Sequence, residues 1–101
     1  MQTEFSKSGA QWTTRLSGHL DHKSLKDFQK VMLGALTDPE VKTIEIDMGN
    51  LTYLDSSGLG ALLILREKAR SLTKTVELIA ARGDVKKALE ISNFGKLFVC
   101  R

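Results

Sequence analysis

The sequence has a single cysteine, Cys100, and a single proline, Pro39. One thiol allows no intrachain disulfide, and a chain of 101 residues can bury roughly two thirds of its unfolded surface in one core without such a staple. No secretory apolar segment opens the sequence, so a reducing, cytoplasmic setting is expected. The longest apolar run, Leu59 to Leu65, is far short of the ~20 residues needed to span a bilayer. Net charge is small as well. The formal net charge is only +3, and the lysines and arginines are interspersed with acids, which argues against nonspecific nucleic-acid binding. Repeats, low-complexity tracts and Pro/Gly/Ser-rich linkers are missing too, so residues 1–101 are expected to form one domain.

What remains is alternation and helical periodicity. In "AQWTTRLSG", Trp12, Thr14 and Leu16 share one side and Thr13 and Arg15 the other, the pattern of a strand closed by Gly18. "TEFSKSG" is expected to pair with it as a hairpin turning at Ser8 and Gly9. Leu25, Phe28, Met32, Ala35 and Leu36 recur at helical spacing from Ser24 to Leu36, with Ser24 and Asp27 placed as a capping box. Pro39 ends that helix. Ile44, Ile46 and Met48 then alternate with Glu45 and Asp47, so this strand should have one buried and one wet face. That restricts the helices mainly to one side of the sheet. A second helix is expected from about Ser57 to about Ser71, apolar nearly all round at its start and therefore buried there, then charged at "REKAR". "TVELIAA" follows as a strand, "GDVKKALEIS" as a short helix capped by Asp84, and "GKLFVC", after Asn93 and Gly95, as a terminal strand. The expected fold is an α/β mixed sheet of about five strands with three helices mainly on one face.

The chemistry-bearing stretch is "LTYLDSSGLGALLIL". Asp55, Ser56 or Ser57 can each serve as a helix N-cap. Three such residues at the carboxyl end of a strand exceed what one cap requires, and that end is the usual place for function in open α/β sheets. A hydrolase is disfavoured, because no Gly-x-Ser-x-Gly elbow occurs and only His19 and His22 offer themselves as bases. The chain is read as a non-enzyme. Those two histidines also lack companions at metal-ligand spacing, and no cofactor is expected. "SSGLG" lacks the lysine of a phosphate-binding loop.

"MGNLTYLDSSGLGALL" resembles the signature loop of the STAS family, the domain of bacterial anti-sigma factor antagonists and of sulfate-transporter tails. "LSGHLDHKS" is similar to its other motif through Leu16, Gly18, Leu20 and Asp21, and "DVKKALEISNFGKLF" to its last helix and strand. The resemblance covers nearly the whole chain and is strongest for the antagonist type, partner-switching regulators of transcription. With the sequence ending at Arg101, the added carboxyl-terminal helix of some relatives is expected to be missing. The resemblance implies that Ser56 is a phosphorylation site, that Ser57 starts the helix, and that Asp21, Asp55, Gly58 and Leu59 complete a switch loop. It implies as partners an anti-sigma factor that is a serine kinase of the histidine-kinase-like ATPase type, and a PP2C-type phosphatase. The unphosphorylated chain would sequester the former and free a sigma factor or another effector. Alternatives are a nucleotide-binding STAS module and an interaction subunit indifferent to phosphorylation.

Among the other residues, Trp12 and Phe94 are expected to pack into the fold, and Lys23, Lys26 and Lys30 to form a solvated helix face.

Overall fold

The computed structural model describes residues 1–101. Strands β1 (Gln2–Ser8) and β2 (Gln11–Leu20) form the hairpin, and helix α1 (Leu25–Thr37) follows. Then come β3 (Thr43–Leu54), α2 (Ser56–Ser71), β4 (Thr75–Ile79), α3 (Gly83–Ile91), a 3-10 turn at Phe94–Lys96, and β5 (Val99–Cys100). The sheet order is β1-β2-β3-β4-β5. The hairpin is antiparallel, from Gln2↔Ser17 to Ser8↔Gln11, and turns where Gly9 adopts a φ of +58°. The other pairings are parallel, so the mixed sheet follows the expectation.

The alternation of β3 decides the layering. Ile44, Ile46 and Met48 are fully buried and join Leu16, Leu62, Leu78, Val85 and Phe28 in a single core. Their polar neighbours lie on the other face, where Asp47 meets Arg15 at 3.4 Å and Arg101 bridges Glu45 and Glu77, each at 2.7 Å. One layer of helices therefore covers one face of the sheet. Trp12 packs as expected. Its indole N–H donates to Thr14 Oγ1 at 2.7 Å, and its ring stacks on Phe5 with centroids 4.4 Å apart. Phe94 is buried and stacks on Phe98.

Four local expectations are corrected. Ser24 precedes α1 but makes no capping bond. Its hydroxyl instead accepts from the Asp21 N–H at 3.0 Å and donates back to the His19 and Asp21 carbonyls, because closing the β2–α1 turn uses it first. Asp84 is not the cap of α3, since the helix already begins at Gly83 and Arg82 occupies the flanking position. β4 stops at Ile79, two residues early, because Ala80 takes a left-handed φ of +62°. Only Val99 and Cys100 of "GKLFVC" pair with β4. The left-handed Asn93, φ +57°, ends α3 and sends the chain into the 3-10 turn that buries Phe94. Finally, the start of α2 is buried or half-buried from Ser57 to Leu62 as expected, but the apolar run does not stay covered beyond it. Gly58, Ala61, Leu62, Leu65 and Ala69 are buried along its length while Leu63 and Ile64 remain 36% and 54% exposed. A one-sided sheet can cover only one stripe of a helix.

Lys74, on which the sequence pattern is silent, is buried. Its ammonium donates to the carbonyls of Ala35 and Asp38 at the end of α1, satisfying acceptors that the helix leaves open. Burial pulls this ammonium below the usual lysine range, against the opposing pull of Asp38.

Candidate functional site

The parallel pairing of β2 with β3 ends at Leu20↔Leu54, so both strands deliver their next residues, Asp21 and Asp55, to adjacent loops at the same sheet edge. The Asp55 N–H donates to the Leu20 carbonyl at 3.4 Å. Asp55 is the N-cap of α2: its carboxylate accepts from the Gly58 N–H at 2.9 Å, and its carbonyl accepts from the Leu59 N–H at 3.0 Å. Ser56 is thus the first helical residue and Ser57 the second. The expectation that Ser57 starts the helix is moved by one position, because Asp55 supplies the cap and Ser56 follows it directly.

Each residue of the segment then has a defined place. Ser56 is exposed and Ser57 half-buried. Gly58 is buried against the end of β2, where a β-carbon would overlap the Leu20 carbonyl oxygen and stand 2.7 Å from Leu54 Cδ1. Glycine is required there by close approach. Leu59 is half-buried and packs on the edge of the core. With the Gly58 amide occupied by Asp55, the Ser56 and Ser57 amides are the free donors of the first turn, at the positive end of the helix dipole.

Asp21 lies on the neighbouring loop, with its carboxylate turned into that loop's own backbone. It accepts from the Lys23 N–H at 3.1 Å and from the Ser24 hydroxyl at 3.4 Å. The two histidines take separate parts: His19 meets Tyr53 edge-on at 5.3 Å on the open face of the sheet, and His22 is exposed.

The arrangement leaves a hydroxyl in solvent on a rigid helix start, with carboxylates on two adjoining loops and no base positioned to activate it. Nucleotide phosphate fits the loop poorly, because Asp55 occupies one of the donors such a phosphate needs and adds its own negative charge. The sequence reading missed the surface beside the loop. Ala61, Ile64 and Lys68 recur along one stripe of α2, and across a groove from them stand Phe28, Met32, Leu33 and Leu36 of α1. The signal was available: a run that is apolar all round, placed on a sheet covered on one side, must leave part of itself exposed.

Residues 3–99 match a family model described as "Mlab, STAS domain". A STAS-domain containing protein of Pseudomonas aeruginosa is 36% identical over 93 residues, which cover 92% of this chain and 90% of that one. BtrV of Bordetella bronchiseptica, assigned as an anti-sigma factor antagonist, is 29% identical over 66 residues, 65% of this chain and 57% of its own. Among solved structures, the anti-sigma factor antagonist SpoIIAA in its unphosphorylated form superposes with a TM-score of 0.76 at 19% identity, covering 99% of this chain and 87% of that chain.

Proposed function

Because the chain belongs to the STAS domain family, we propose that it is a partner-switching regulator controlled by phosphorylation of Ser56. The observation that carries this reading is the exposed Ser56 hydroxyl at the first position of α2, beside an aspartate that caps the helix without covering it. Unphosphorylated, the chain binds and sequesters an anti-sigma factor that is also its kinase, of the histidine-kinase-like ATPase type, and so frees a sigma factor or another effector. The kinase transfers the γ-phosphoryl group of ATP to the Ser56 oxygen with release of ADP and a proton. A PP2C-type phosphatase reverses the change by hydrolysis. The chain is a binding module acting in the cytoplasm, with Asp21, Asp55, Ser57, Gly58 and Leu59 framing the switch loop.

The physics of the switch is a contrast between fold and surface. A phosphate adds −1.5 to −2 charge, and at a helix amino terminus it gains roughly 0.3 to 1 kcal/mol from the free amides and the dipole. The fold therefore tolerates it. A partner docked on the loop must instead bury that charge unpaired, next to the carboxylate of Asp55 and across from the loop of Asp21, at a cost of several kcal/mol. Every ~1.4 kcal/mol is tenfold in affinity, so the complex is effectively abolished. The test is partner affinity of Ser56→Ala against Ser56→Asp, together with intact-mass analysis of the protein from its own cells. Equal affinities overturn the switch.

A second reading, an interaction subunit indifferent to phosphorylation, is favoured by one observation: the matching family model is described by the name Mlab rather than by antagonist activity. A partner complex unchanged by Ser56→Asp selects it.

A further inference from the structure

An apolar groove stays open between α1 and α2. Phe28, Met32, Ala61 and Leu65 form its floor, with Leu33 and Ile64 as its rims, 60% and 54% exposed. Its volume is about 60 Å³, against roughly 300–1,000 Å³ for sites that enclose small molecules. A depression this shallow suits a row of side chains from another protein. The charges bordering it have one sign. Lys68 lines one end. Lys26 falls on the groove side of α1 near the other end, three residues before Gln29 and seven before Leu33, which both line it. Neither ammonium has an ion-pair partner, no carboxylate lines the groove, and the nearby Glu67 is held by Arg66 at 2.9 Å and Arg70 at 3.5 Å. The α2 side of the groove runs in one stripe from Lys68 through Ile64 and Ala61 to Ser57, so it opens onto the loop that carries Ser56.

We propose that this groove receives an amphipathic helix of a partner protein, with apolar anchors on one side and acidic flanks that meet Lys26 and Lys68. The proposal deepens the switching reading and rests on it, since this helix is the segment that a phosphate on Ser56 excludes. The phosphate stands at the loop end of the groove, where it repels an acidic flank in addition to resisting desolvation. A helix laid in a groove by anchors at i, i+3 or i+4 and i+7 is a recurrent mode of recognition, and it spans about the two turns from Phe28 to Leu36.

The experiment titrates the ¹⁵N-labelled chain with two synthetic helical peptides of roughly 15–20 residues. They carry identical leucine anchors, one flanked by glutamate and the other by lysine. Amide shifts confined to residues 26–36 and 57–68, about tenfold tighter binding of the glutamate peptide, and loss of that binding in Ile64→Glu support the proposal. Equal affinities, a preference for the lysine peptide, shifts elsewhere, or no binding at millimolar peptide overturn it. Ser56→Asp and Ile64→Glu together separate this site from the switch. If the glutamate peptide binds in the groove and Ser56→Asp leaves its affinity unchanged, the groove stands and the phosphorylation reading falls. If Ser56→Asp abolishes binding of the intact kinase partner while Ile64→Glu does not weaken it, the switch stands and the groove is overturned.

Discussion

The carbonyl oxygen of Leu20 and the backbone of Gly58 face each other across the junction of β2 and α2, too close for a β-carbon on residue 58. This approach seats the start of α2 on the end of β2 and holds Ser56 at the sheet edge. Alanine normally favours a helix interior over glycine by about 1 kcal/mol, so two glycines of α2 make opposite predictions. Gly58→Ala should lose about 1–3 kcal/mol through overpacking against backbone that cannot yield. Gly60→Ala, whose added carbon meets nothing within 4 Å, should gain up to about 1 kcal/mol. Urea denaturation midpoints decide both signs.

The cap predicts a separate pair. Asp55→Ala removes the acceptor of the Gly58 N–H and should cost about 0.5–2 kcal/mol, whereas Asp55→Asn, which keeps a capping oxygen, should cost only a small part of that. Equal losses would assign the effect to charge at the loop instead of to the cap.

Much of this was legible from local pattern, for reasons that can be named. The Glu45 and Asp47 side chains between Ile44, Ile46 and Met48 announce a sheet with one wet face, and the structure puts an ion-pair network there. The Asp-Ser-Ser-Gly segment marks a helix start because a cap and a close approach both leave a signature in residue type. What was illegible depends on distant partners. Ser24 looks like a capping-box residue, but the carbonyls of His19 and Asp21 compete for its hydroxyl. Lys74 reads as a surface charge until α1 presents its last carbonyls to it. The "GKLFVC" stretch is apolar enough for a strand, yet the left-handed Asn93 turns Phe94 inward first.

Lys74 should therefore answer to substitution more strongly than its residue type suggests. Lys74→Ala strips two carbonyls of their donor in a buried setting, and leaving such groups unmet costs about 1–3 kcal/mol. Lys74→Met keeps the apolar stem and should lose less. A thermal midpoint lowered by several degrees for alanine, at roughly 4–8 °C per kcal/mol for a domain of this size, checks the magnitude.

The hairpin is tied to the end of α1 by Lys7 and Asp38, whose charged atoms are 2.9 Å apart. The hydrogen bond from Lys7, aided by the Glu40 N–H, holds the Asp38 carboxyl below the usual carboxylate range. The same bond raises the Lys7 ammonium. A depressed acid contributes stability above its unfolded pKa and loses it as pH falls through the folded one. A raised base contributes fully below its unfolded pKa and loses it as pH rises through the folded one. Stability should thus decline on both the acid and the alkaline limb. Lys7→Met should flatten both and return the Asp38 titration, followed by NMR, toward the ordinary value.

The decisive prediction concerns Ser56, because two of its consequences pull apart. As the first residue of α2, with its side chain in solvent, it can accept a negative charge without disturbing the core. Ser56→Asp should keep stability within about 0.5 kcal/mol of the parent, the range of a surface substitution. The dipole of α2 assists the new charge, while the Asp55 carboxylate next to it subtracts from that gain. The same substitution should weaken the complex with the kinase partner by at least about a hundredfold, the equivalent of two ~1.4 kcal/mol increments. Ser56→Ala should bind as the parent does and resist inactivation by ATP. Denaturation and calorimetry on the same three proteins separate the outcomes. Unchanged stability with lost affinity locates the effect at the surface, as a switch requires. Loss of both in parallel makes Ser56 a structural residue of the helix start, and the phosphorylation reading falls with it.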